Sequence, residues 1–356
     1  MRPLTFSLAL LMLLALQGMA VADDAQNAKL EELWKTGSLW QVGDNIPKVE
    51  AARKEIVAAG DAGLAFAFTK LGSSDGLEYR CIEAVFKGFG AKALPGLLER
   101  MGHKDVKVRR NVAAMFGVID DKSAAPKMVE HLKKESDLRC KVGHLQTLAR
   151  WKEPTALDPL IECTRVTQEQ EPLAERLKVR IVPLLANYED EKAISRLIEL
   201  LDDEAYFIRD AARDALKSSR KGHNACAKEA ALVLPKCTQN EVPRLCLLLS
   251  ACTGFGALTE YELFVSALDS SQERIRARAV RCLIQWLDAY YEMIEENRKN
   301  GIRDDLYKDE RGSLMTGVKQ STFRIVHMRA FESDPLVLDA IDDAEIGLAA
   351  LEGKLK

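Results

Sequence analysis

Five histidines and eight cysteines are the residues of this 356-residue chain whose types could do chemistry, and their placement argues against a shared site. His103, His131, His144, His223 and His327 fall in separate segments, and no two histidines stand at metal-ligand spacing. A Gly-x-Ser-x-Gly elbow, a phosphate loop and a dinucleotide fingerprint are all missing from the sequence. Adjacent acids such as Asp202-Asp203 and Asp342-Asp343 would leave a helix in different directions, so they read as caps and solvated surface rather than as acid/base pairs. No catalytic residue, no metal ligand and no cofactor is implied.

What the sequence does repeat is a helical stripe. Val108-Arg109-Arg110-Asn111-Val112 with Met115-Phe116 returns as Ile208-Arg209 with Ala212 and Leu216, and again as Ile275-Arg276 with Ala279 and Leu283. A β-branched residue, an Arg, a small or apolar residue four positions on and a large apolar one beyond it mark one face of a helix, and the recurrence marks a repeat array. Helices are expected in pairs at about 48–59 with 62–71, 76–88 with 93–101, 106–119 with 125–135, 138–151 with 157–167, 173–187 with 190–201, 205–218 with 223–234 and 241–253 with 258–268. A long last helix starts near Gln272. The polar breaks His103-Lys104-Asp105, Glu135-Ser136-Asp137, Asp202-Asp203 and Ser270-Ser271 suit helix starts, where an Asp or Ser accepts free backbone N–H groups.

These stripes, with an acid ahead of the Arg (Asp105 before Arg109, Asp137 before Arg139, Asp203 before Arg209), resemble the HEAT-repeat superfamily, in the short form of the phycocyanobilin-lyase-like group. The resemblance covers residues 48 to 290, with Arg80 and Val179-Arg180 as weaker copies and an irregular repeat at Leu138-Arg139-Cys140. It implies an all-α fold, an α-solenoid of stacked antiparallel helix pairs, and it implies structural roles for Arg109, Arg209 and Arg276. Deoxyhypusine hydroxylase, an enzyme on similar repeats, holds two irons with His-Glu pairs, and this chain has no His-Glu step. The expected organisation is a leader (1–22), a capping segment (23–47) with Trp34 and Trp40 over the first repeat, the solenoid (48–300), and a tail (301–356). In that tail 301–329 loses periodicity before a terminal amphipathic helix.

Arg2, the uncharged apolar run Leu4 to Leu16 and the Ala20-Val21-Ala22 exit read as a secretory signal peptide cleaved after Ala22, giving a secreted or periplasmic protein. No later run is long enough to span a bilayer, so the mature chain is expected to carry no integral membrane segment. The formal charge is -3, and loss of Arg2 would leave -4, which gives no general attraction to nucleic acid. Locally, Glu99 to Lys141 holds 11 basic against 7 acidic residues, and Asp304 to Glu352 holds 5 against 11, which reads as solvated helix faces and a polar tail.

Export permits disulfides. Cys81, Cys140 and Cys282 each follow an Arg in the first helix of a pair, so they occupy related sites in separate layers and read as small buried apolar residues. Cys226 and Cys252 fall on one hairpin; antiparallel helices there would bring them within a turn of alignment, which makes a disulfide possible against two free thiols.

The functional expectation is a non-catalytic scaffold that binds a protein or peptide along its second helices. Their polar positions Lys127, Glu130, Lys134, Glu162, Arg165, Arg196 and Glu199 mix both signs and suit a polypeptide better than a polyanion. The alternative is an enzyme, lyase-like or metal-dependent, built on the same array.

Overall fold

A computed structural model describes residues 24–254, 258–302 and 307–356; the expected leader, residues 1–22, lies outside them. The chain divides into two compact units at Ala156/Leu157, inside the expected pair 138–151 with 157–167. No described helix is long and apolar enough to cross a membrane.

The first unit holds α1 (24–37), α2 (Asn45–Ala58), α3 (Asp61–Thr69), α4 (Gly76–Phe89), α5 (Leu94–Arg100), α6 (Val106–Ile119), α7 (Ala125–Leu132) and α8 (Leu138–Arg150). Helices α2, α4, α6 and α8 stack successively, and α3, α5 and α7 each lean on the next helix of that stack. The second unit holds α9 (Leu157–Cys163), α10 (Ala174–Ile181), α11 (Glu191–Glu199), α12 (Tyr206–Lys217), α13 (Arg220–Val233), α14 (Val242–Ala251), α15 (Leu258–Ala267), α16 (Glu273–Lys299), α17 (Tyr307–Arg329) and α18 (Pro335–Leu355). Here α10, α12, α14, α16 and α18 form one layer and α9, α11, α13 and α15 the other. The stripes read from the sequence are the buried ones: Val108, Val112, Met115 and Phe116; Ile208, Ala212 and Leu216; Ile275, Ala279 and Leu283. Each unit is thus a HEAT-like array of helix pairs.

The repeated Arg makes the same connection three times. Arg109 donates through Nη1 to the carbonyls of His103 and Lys104 at 3.0 and 3.4 Å, Arg209 to those of Asp203 and Glu204 at 2.7 and 2.8 Å, and Arg276 to those of Ser270 and Ser271 at 3.0 and 3.1 Å. The guanidinium therefore satisfies carbonyls five and six residues back, where the previous helix has ended and the next has not begun. Arg109 adds a bidentate pair with Glu135 at 2.9 and 3.1 Å, and Arg276 one with Glu332 at 2.8 and 3.1 Å.

That second pair corrects the reading of the tail. Glu332-Ser333-Asp334 repeats Glu135-Ser136-Asp137: in each the Glu accepts the N–H of the Asp two residues on, at 2.8 Å for Glu135 and 3.0 Å for Glu332, and the Asp caps the helix that follows. Thus α16 and α17 are a helix pair and α18 opens the next layer, while residues 307–329, expected to be irregular, are one continuous helix. The acid-rich stretch is a set of solvated helix faces, as expected: exposed Asp342 pairs with Arg329, which also meets Glu345, and exposed Asp339 with Arg281. Periodicity failed there because α17 carries apolar residues on two faces. Leu314, Val318 and Ile325 face inward, whereas Phe323 and Val326 face out, and exposed Phe331 follows just past the helix end.

Two smaller expectations also change. Trp34 is buried edge-on to Phe66, rings 6.0 Å apart, but Trp40 is 56% exposed and covered only by the Arg80 guanidinium at 5.0 Å, so a single tryptophan does the capping. Asp105 and Asp137 cap their helices as expected. Asp203 and Ser270 instead brace the turn, accepting the N–H groups of Ala205 and Gln272, and the cap positions fall to those two residues. No cysteine of the described structure is in a disulfide, so Cys226 and Cys252 follow the second of the two alternatives left open for their hairpin. The Cys252 Sγ lies 3.1 Å from the Leu248 carbonyl of its own helix, an internal partner for the thiol, and burial pushes Cys226 up to about 12.

One ionisable cluster, Arg109, His131, Glu135 and His144, is largely buried in the first unit. Burial works to raise Glu135, but Arg109, the Asp137 N–H and His131 outweigh it and hold the carboxyl at about 2. Beside it His144 is fully buried, 5.5 Å ring to ring from His131, with neither ring nitrogen hydrogen bonded; burial first and His131 second push it down to about 3.

Two predictions follow from these contacts. Arg109→Met strands the Glu135 carboxylate and should cost about 3 kcal/mol in urea unfolding, with Arg109→Met/Glu135→Gln less destabilising than the single change; equal loss in both would deny the pair its role. For His144 the folded value lies below the ordinary 6.5, so the neutral ring's contribution is complete above pH 6.5 and drains away as pH falls toward 3. About 2 kcal/mol should be gone by pH 5, and His144→Phe should flatten that dependence in melts between pH 7 and pH 5.

Candidate functional site

Four of the seven polar positions expected to bind a partner do meet. Glu162, Arg165, Arg196 and Glu199, joined by Asp158, Glu191 and Lys192, line a groove of about 550 Å³ between α9 and α11. Lys127 and Glu130 are exposed on α7 in the first unit and Lys134 in the turn just past it, 3.4 Å from Glu130.

The charges of the α9–α11 groove neutralise one another. Lys192 pairs with Asp158 at 3.0 Å, Arg165 with Glu162 at 2.7 Å and Arg196 with Glu199 at 2.7 Å. The hydrogen bond to Asp158 raises Lys192 above its ordinary value. Arg196 is the most constrained: its Nε donates to Thr164 Oγ1 at 2.8 Å and its Nη2 to the Thr164 carbonyl at 3.2 Å, so it ties α11 to the end of α9. Such a lining resembles solvated surface more than a recognition site, since exposed ion pairs contribute little.

A larger groove, about 1180 Å³, lies between α15, α16 and α17. It opens where the second-helix layer parts: α9, α11, α13 and α15 touch in succession, but α17 stands off from α15. Across the gap Tyr261 Oη reaches Ser321 Oγ at 3.2 Å and the Gly317 carbonyl at 3.5 Å, propping the two walls at a fixed separation. Tyr261 also packs on Trp286, rings 5.5 Å apart, whose indole N–H donates to buried Glu260 at 3.2 Å; Glu260 in turn lies 3.5 Å from buried His223. The apolar part of one wall is Tyr261, Val265 and Leu268, and Leu283 forms the floor.

The opposite wall is a row of three rings. Phe323 and His327 stand one turn apart on α17 and Phe331 follows in the turn two residues past its end, with successive centroids 6.5 Å and 5.2 Å apart. Phe323 is 75% and Phe331 80% exposed, and Val326 between them is exposed too. Large apolar groups gathered round a concavity mark an interaction surface. Of the rim charges, Arg324 pairs with Asp269 and Arg276 with Glu332. The sequence reading missed this wall; its only sequence signal is the Phe-x-x-x-His-x-x-x-Phe spacing, in a stretch whose inner stripe hid it. Among the described residues no group of His, Cys, Asp and Glu is arranged to hold a metal ion.

These features define a class, a HEAT-like helical-repeat protein with a propped apolar groove in its second unit. No protein-family model matches the chain, and no curated protein matches it significantly. Among solved structures, the complex of CpcE and CpcF of phycocyanin lyase from Nostoc sp. PCC7120 is similar at 17% identity and a TM-score of 0.36, over 64% of this chain and 92% of that one. Human deoxyhypusine hydroxylase in complex with glycerol is similar at 17% identity and a TM-score of 0.28, over 75% of this chain and 99% of that one. At such TM-scores neither likeness speaks to activity or partner.

Charge reversal separates tethered from free positions. Arg196→Glu loses the Thr164 contacts and faces Glu199, and should cost about 2 kcal/mol, seen as a lowered melting temperature. Lys127→Glu and Lys134→Glu should melt within about 0.5 kcal/mol of the parent protein.

Proposed function

We propose that this chain is an exported, non-catalytic HEAT-like scaffold that holds a polypeptide segment in the α15–α17 groove. The observation carrying the reading is the propped apolar groove with Phe323 and Phe331 bared along one wall. A row of three rings along an open groove suits an extended chain with successive side chains better than a compact metabolite. Export rests on Arg2, the run Leu4 to Leu16 and the Ala20-Val21-Ala22 exit. Nucleic acid is disfavoured by the net charge of -3 and by a rim whose two arginines are already paired with acids.

A photo-crosslinking amino acid in place of His327, irradiated in extract of the exported fraction, tests this. Polypeptide adducts should form, disappear when Phe323→Glu/Phe331→Glu is added, and persist with Lys127→Glu/Lys134→Glu. Adducts indifferent to the phenylalanines, or capture lost only on changing Lys127 and Lys134, would move the working surface elsewhere.

A further inference from the structure

Resting on that reading of the groove, we propose that the polypeptide segment it holds is an extended one whose acidic side chain meets Lys319 and whose following apolar side chains seat against the aromatic row. The carboxylates, guanidiniums and ammonium group that line the groove belong to Asp269, Arg276, Lys319, Arg324 and Glu332. Arg276 pairs with Glu332 and Arg324 with Asp269, so these four charges cancel. Lys319 is exposed and makes no ion pair among the described residues. Its acidic neighbour, Glu352, is already paired with Lys356 at 2.8 Å. The lining is therefore left with one positive charge, and it stands at a fixed place on α17.

The spacing along the wall sets the order of side chains in the occupant. Lys319, Phe323 and His327 stand one turn apart on α17, a rise of about 6 Å from each to the next. The rings of Phe323 and His327 are 6.5 Å apart, and that of Phe331, in the turn beyond the helix, is 5.2 Å from His327. In an extended segment alternate side chains share a face and recur at about 6.6 Å. An acid opposite Lys319 therefore brings the second and fourth residues after it into step with the rings, where apolar side chains enter between the row and Val265 and Leu268 of α15. The chain as a whole carries a formal charge of -3, so an acidic segment gains nothing from the general field, and its preference is local to Lys319.

Short peptides capped by acetyl and amide groups test this. Titrated calorimetrically into the mature protein, Glu-Ser-Leu-Ser-Phe should bind about threefold tighter than Gln-Ser-Leu-Ser-Phe and about tenfold tighter than Lys-Ser-Leu-Ser-Phe, the scale of a partly exposed ion pair. The advantage of the Glu peptide should shrink in about 1 M salt. Lys319→Glu should reverse the order so that the Lys peptide binds best, a rescue that a misfolded variant could not give, whereas Lys127→Glu/Lys134→Glu should leave the order unchanged. Phe323→Glu/Phe331→Glu should remove binding of all three peptides. Equal binding of the Glu and Gln peptides, an acid preference that survives Lys319→Glu, or no binding by any peptide would overturn the proposal. In the first two cases, binding that still requires Phe323 and Phe331 upholds the groove as a polypeptide site. In the third, photo-adducts at His327 would uphold it, and absence of adducts as well would sink both readings.

Discussion

The connection that the remaining structure depends on is the arginine at the start of each first helix. A helix pair ends in a short break whose carbonyls have no helical partner, and such groups are costly to bury unpaired. Arg109, Arg209 and Arg276 each reach back five and six residues to donate to them. The long aliphatic stem allows the guanidinium to be part-buried while its planar fork serves two directions at once. In two cases the second direction is a carboxylate from a later break, Glu135 or Glu332, so one side chain fixes both the break behind its helix and the break ahead. Removing the carboxylate would loosen the array; removing the arginine would also strand a buried charge.

The same grammar explains what could be read from the sequence and what could not. Stripes at α6, α12 and α16 were legible because each has one apolar face, so composition and burial agree. The α17 helix was not, since its inner stripe of Leu314, Val318 and Ile325 and its outer pair Phe323 and Val326 lie on different faces and cancel any single periodicity. The Glu-Ser-Asp break repeats verbatim at 135 and 332, yet its meaning depends on which arginine it meets, and that meeting spans 56 residues in one case and 26 in the other. Contacts at such separations leave no local trace. Capping was legible as a class of residue but not to the position, because at Asp203 and Ser270 the side chain braces a turn one step before the helix begins.

For the candidate site the division is sharper. Helix register placed Glu162, Arg165, Arg196 and Glu199 on one surface, and they do share a groove. Register says nothing of pairing, however, and once Arg196 is bound to Thr164 and Glu199 its charge is committed to holding α9 and α11 together. A charged residue on an exposed face is available for a partner only if its neighbours leave it free. Exposed aromatics carry the opposite lesson: nothing in the sequence sets Phe323 and Phe331 apart from Phe86 or Phe116, and only their exposure distinguishes them.

Why the groove lies at α17 follows from helix length within one layer. The second helices α11 and α15 run nine and ten residues, whereas α17 runs 23. A short second helix is covered on both sides by its neighbours, but a helix more than twice as long cannot be matched along its length by α15, and the Tyr261 to Ser321 contact holds the mismatch open instead of letting the walls collapse. Phe323 and His327 are thereby kept on a helix anchored below by Leu314, Val318 and Ile325 and at its end, beside Phe331, by Arg329 to Asp342 and Glu345. A binding surface on a fixed helix keeps its spacing before any partner arrives, so little ordering has to be lost on association.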